Sequence, residues 1–148
     1  MQALLLSVHV VAGILFVGPI AVATSLFPRY APVGGASADT ERSAGIARLL
    51  HRITRVYGVL ALAVPMVGLA LAGVQGRMSE VWITAAMVLT AMAGILLAIQ
   101  IAPRQARALA APGGVAELRT LRMVTGVFNL LWVVVVVLMV VHPGSRYV

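Results

Sequence analysis

Apolar residues run through this chain in four long blocks, and the charged residues fall between them. No charge occurs from Met1 to Pro28, and three further uncharged stretches cover Val56–Gly76, Val81–Pro103 and Met123–Ser145, which are 21, 23 and 23 residues long. A helix rises about 1.5 Å per residue, so crossing a hydrocarbon core of about 30 Å takes about 20 residues. Each block meets that length. The pattern predicts an all-α membrane protein, a single domain over 1–148, with transmembrane helices at about 3–27, 53–74, 80–102 and 121–142. The first block lacks a basic segment after Met1 and outruns the apolar core of a cleavable signal peptide, so it reads as a retained span.

The segments between the blocks have patterns of their own. In the first loop, PRYAPVGGAS is irregular, but Ile46, Leu49, Leu50 and Ile53 recur at amphipathic helical spacing. Asp39 or Thr40 is a suitable N-cap, so the second helix should have a cytoplasmic extension from about residue 40. In the third loop a helix overhang should run to Ala111. Pro112-Gly113-Gly114 turns the chain, and the last helix starts near Val115. Pro19 and Pro65 should each kink a helix by removing one backbone hydrogen bond.

Charge sets the orientation. Loop one carries Arg29, Arg42, Arg48 and Arg52, with Arg55 just inside the next helix, and loop three carries Arg104, Arg107 and Arg119, followed by Arg122. The second loop has only Arg77 and the tail only Arg146. The positive-inside rule then predicts an antiparallel four-helix bundle, N-out and C-out, in the bacterial inner membrane. Arg48, Arg52, Arg55, Arg104, Arg107, Arg119 and Arg122 are placed to meet anionic lipid headgroups, beside their role in fixing topology. Nucleic-acid binding is disfavoured, because the basic residues are divided between two loops without interleaved aromatics.

With 61% hydrophobic and 10% charged residues and no cysteine, the composition excludes thiol chemistry and thiolate metal sites. The exclusive use of Arg among the basic residues reads as a coding bias. Candidate chemistry must come from polar groups at membrane depth, where they are costly. His9 is first, in LLLSVHVVAGILFVGP, sharing a helix face with Gly13, Phe16, Ile20 and Thr24. Met66, Met87 and His142 fall at similar depth, with Met139 beside His142, and a His/Met set suits haem b or Cu(I). The other reading of His9 is a neutral imidazole bonded to a neighbouring helix. His51, among Arg48, Arg52 and Arg55, reads as solvated or headgroup-facing. Asn129 should hydrogen-bond across helices, and Trp82, Trp132 and Tyr57 read as membrane aromatics. The predicted helix cores hold no Asp or Glu, and no nucleophile elbow, phosphate loop, zinc motif or carboxylate pair appears, which argues against a proton-coupled transporter built on carboxylates and against hydrolytic chemistry, and favours a non-enzyme.

The opening LLLSVHVVAGILFVGP, the Arg-flanked start of helix two, LAIQIAPRQARALA and the closing VVVVVLMVVHP together resemble a bacterial family of integral membrane proteins catalogued as domain of unknown function 2269. That resemblance spans essentially the whole chain and implies a multi-pass protein without an assigned activity. In that family a tryptophan–glycine–glycine element follows the helix-one histidine, where this chain has Phe16, Gly18 and Pro19. More distantly, His9 and the glycine spacing are similar to copper-resistance D-type domains and the haem-binding membrane protoporphyrinogen oxidase. LLHRITRVYG is similar to a segment of succinate dehydrogenase membrane anchors. Three functions follow. The first is a structural, accessory or assembly partner of a membrane complex, with homo-oligomerisation open to it. The second is a haem-b or copper protein using His9, and the third is a small transporter hinted at by Pro19 and Pro65.

Overall fold

The structure is a computed structural model that describes residues 1–34 and 43–144. All regular structure among them is helical, and four helices are long and apolar enough to cross a membrane: α1 (Gln2–Tyr30), α2 (Ala44–Val74), α3 (Val81–Ala110) and α4 (Val115–Val141). At 27 to 31 residues they exceed the span of the hydrocarbon core. The surplus lies beside the arginine-bearing segments. The first turn of α2 is capped by Ser43, in extended conformation, whose hydroxyl accepts from Ile46 N at 3.4 Å. Ser43 supplies the oxygen that the first N–H groups need, and the described helix starts at Ala44. Asp39, Thr40 and Arg146 lie outside the described residues.

Proline shapes three of the four helices. A proline cannot donate to the carbonyl four residues back, and its ring crowds that carbonyl. In α1 the turn before Pro19 widens into a π segment, Gly13–Val17. In α2 the helix is interrupted at Ala61–Leu62, ahead of Pro65, where Val64 N donates to Ala61 O at 3.0 Å in place of the lost bond. The sequence pattern anticipates those two disturbances. It misses a third, the π segment Leu96–Ile101 before Pro103, because that proline closes an apolar run and looks like a loop residue.

The packed core occupies one part of the molecule. Ile20, Ala23, Phe27 and Ala31 meet Ala47 and Leu50 of α2, Ala93, Ile101 and Ala108 of α3, and Leu118, Leu121 and Phe128 of α4. Alanines bring the backbones close, and Phe27 and Phe128, both fully buried, fill the space between them. At this end the first and third loops touch. Gly34 N donates to Gly113 O at 3.2 Å, and a Cβ at Gly34 would lie 2.7 Å from Pro112 O, so only glycine fits. Toward the other end the molecule resolves into two helix pairs. Gln2–Ala12 packs on Ala63–Val74, Val81–Ile95 packs on α4, and contact between the pairs is thin.

Since lipid tails are as apolar as a core, burial inside the bundle stabilises through packing more than through escape from water. Phe128→Ala should therefore lower unfolding free energy in detergent by about 2 kcal/mol, the cost of a cavity of roughly 100 Å³. Val133→Ala, on an exposed face, should change it far less. Calorimetry or SDS-titrated unfolding of both variants checks the contrast.

Candidate functional site

His9 is the most buried histidine of the chain, 9% exposed, and its environment is built by α2. The ring packs against Gly68, where a Cβ would lie 2.8 Å from His9 Cε1. One turn away, Val64 O lies 3.1 Å from His9 Nδ1. A carbonyl only accepts, so Nδ1 carries the proton and donates. Nε2 is then left as the bare nitrogen, without a partner among the described residues. The Val64 carbonyl and the missing side chain at Gly68 together make a socket for one imidazole.

The other members of the anticipated His/Met set are arranged differently. Met66 lies about 200° round the helix from Val64 at 100° per residue, and it is 69% exposed, so it points away from His9. Met87 is 40% exposed on α3. His142 ends α4 in the left-handed conformation, with φ of 48°, and its ring meets Trp82 edge-on at 4.5 Å. Trp82 in turn donates through Nε1 to Glu80, the buried first residue of a clasp that Arg77 approaches at 3.6 Å. His142 is thus engaged in the α3–α4 pair, and His9 in the α1–α2 pair. Among the described residues no group of three or more His, Cys, Asp or Glu is placed to hold a metal ion.

Asn129 reaches α1, with Nδ2 donating to Ser25 Oγ at 3.0 Å. Ser25 is exposed and Asn129 half-buried, and Asn129 Oδ1 finds no partner. On the same side of α4, buried Thr125 Oγ1 and Trp132 Nε1 are also unpartnered among the described residues.

His51 has a partner that its sequence reading did not name. It is half-buried, and Nδ1 lies 3.1 Å from Gln105 Oε1 on α3. Gln105 is fully buried. Sequence reasoning passed over this glutamine, Gln100 and Glu80. Gln100 accepts from Arg104 Nε and Nη2 at 3.1 and 2.8 Å. The available signal was the pair of glutamines flanking Pro103 at the end of a charge-free run, where an amide must find a partner. Of the seven rim arginines, Arg52 and Arg55 border a groove with His51, Val56, Val59 and Leu60. Arg104 and Arg107 border a smaller one that also contains Glu117.

Compared with known proteins, the chain matches no family model, no curated protein and no solved structure.

Gly68→Ala should break the socket and destabilise the fold, because the added methyl collides with the His9 ring. His9→Ala should cost less, and the double variant should recover part of the Gly68→Ala loss. A double-mutant cycle on unfolding free energy should give a coupling of about 1 kcal/mol or more. For the polar bridge, Asn129→Ala should cost about 0.6 kcal/mol, the usual worth of an interhelical hydrogen bond in a membrane.

Proposed function

We propose that this chain is a non-catalytic accessory or assembly protein of the bacterial inner membrane, held to a partner membrane protein or to a second copy through its helix faces. In this reading it is an antiparallel bundle with both termini outside. The pairings of His9 with Val64, Ser25 with Asn129, His51 with Gln105 and Gly34 with Gly113 support the antiparallel order. The crowding of arginine in loops one and three supports the orientation.

The observation that carries the partner reading is Ser25. It is exposed inside an apolar span, it accepts from Asn129, and its own hydroxyl proton has no acceptor among the described residues. Lipid tails offer it none, and an unmet polar group in hydrocarbon is costly. A neighbouring helix supplies what lipid lacks.

The second reading, haem b or copper at His9, rests on the Val64 carbonyl. A histidine ligand commonly donates its other ring N–H to a carbonyl or carboxylate, which fixes the tautomer and exposes the second nitrogen. His9 has that arrangement. Met66 points the wrong way to complete the site.

A photo-crosslinking residue at Val22, one turn from Ser25 on an exposed part of α1, should give a discrete adduct with a protein or a second copy in native membranes. The yield should fall several-fold in Ser25→Ala. Adducts with lipid alone would overturn the partner reading. Topology reporters fused after His142 should be active outside the cell and silent when placed in loops one and three. Protein purified from cells supplied with haem and copper should be colourless and metal-free. A Soret band or bound copper that disappears in His9→Ala would instead establish the second reading.

A further inference from the structure

We propose that the groove on α2 bordered by His51, Arg52 and Arg55 holds one anionic phospholipid. The phosphate would sit on the two arginines, and an acyl chain would lie along Val56, Val59 and Leu60. This rests on the membrane reading above for the bilayer that surrounds α2, and on nothing about the protein partner.

The order of residues along α2 fits a lipid. Arg52, Arg55, Val56, Val59 and Leu60 follow the i, i+3, i+4, i+7, i+8 spacing, so they form one strip of the helix surface. The strip changes from cationic to apolar over about two turns, which matches the order of a lipid from headgroup to chain. The groove is an open face of the helix, all six bordering residues coming from α2. Val56, Val59 and Leu60 are exposed along it. Just beyond Leu60 the helix is interrupted at Ala61–Leu62, so the strip ends at a step in the backbone.

The wall is fixed. His51 is held through Nδ1 by Gln105, and Gln105 is fully buried on α3. That leaves His51 half-buried at the edge of the groove. Arg52 and Arg55 are exposed and have no carboxylate or other polar partner among the described residues. Two unpaired guanidiniums one turn apart offer forked donors suited to a phosphate.

The neighbouring basic groove makes the contrast. It is lined by Arg104 and Arg107, but Glu117 also faces it. Arg104 is further occupied by Gln100. A phosphate there would meet a carboxylate. Arg52 and Arg55 thus stand apart from Arg104 and Arg107.

The test uses the full chain purified in a neutral detergent and titrated with fluorescent dioleoylphosphatidylglycerol. Dioleoylphosphatidylcholine and soluble glycerol phosphate serve as the other arms. The wild type should bind the anionic lipid at least tenfold more tightly than the zwitterionic one, and glycerol phosphate should compete poorly. R52Q/R55Q should weaken binding by about tenfold or more, given about 1 kcal/mol per arginine near an anionic headgroup. R104Q/R107Q should stay within about twofold of wild type. R52K/R55K keeps the charge, and if the glutamine variant fails to fold by circular dichroism, its partial retention of binding serves in its place.

Three results would overturn the proposal: wild-type affinity in R52Q/R55Q, equal losses in the two glutamine variants, or glycerol phosphate competing as well as the lipid. Those results leave the Val22 crosslink and the topology reporters untouched, so the failure of the groove is distinguishable from failure of the accessory reading.

Discussion

A polar group that enters hydrocarbon must bring its hydrogen-bond partner with it, and this constraint accounts for most of what is specific in the structure. Thr24 and Thr54 turn their hydroxyls back onto Ile20 O and Leu50 O of their own helices. Where a side chain cannot satisfy itself, a second helix is recruited: α2 for His9, α3 for His51 and α1 for Asn129. These three bonds tie helices that apolar contact alone would leave free to slide, because a leucine gains little by exchanging lipid for protein. Packing adds the closeness. Gly68 and Gly34 mark two points where a single added methyl would separate backbones that need to touch.

Backbone irregularity follows the same logic. Pro19, Pro65 and Pro103 each withdraw a donor from a helix that lipid cannot repair, and each is preceded by a widened or broken turn. The disturbances are spread over three helices, so the bundle is not built from straight rods. The break at Ala61–Leu62 separates two functions of α2. Its first half lies in the packed core and carries the arginines, and its second half receives the His9 ring.

The four spans were legible in the sequence because hydropathy reports the solvent directly. In a chain this poor in charge, an uncharged run of about 20 residues has the length that a bilayer demands and a small soluble core does not. The loop-three turn at Pro112–Gly114 was equally plain, since it uses the residues that helices exclude. At the start of α2, Ser43 is the cap seen among the described residues, and its extended backbone is what marks it. The polar pairings were less visible. That Asn129 would bridge helices follows from its type, but Ser25, Gln105 and Val64 O are 104, 54 and 55 positions from the residues they meet. No local pattern encodes those distances. Depth alone grouped Met66 with His9, whereas the angular position round α2 separates them, and angle cannot be assigned before the facing helix is known.

Confining the aromatic and alanine core to the end where Gly34 meets Gly113 gives the molecule an uneven stiffness. One end is clamped on all sides, while the other consists of two prongs joined mainly through their common base. Bending stress applied by a thinner or more curved bilayer is relieved most cheaply between the prongs, with the clamped base as the pivot. The His9 socket and the Trp82–His142 contact each lie within a single prong, so both survive such a motion while the gap between them changes width.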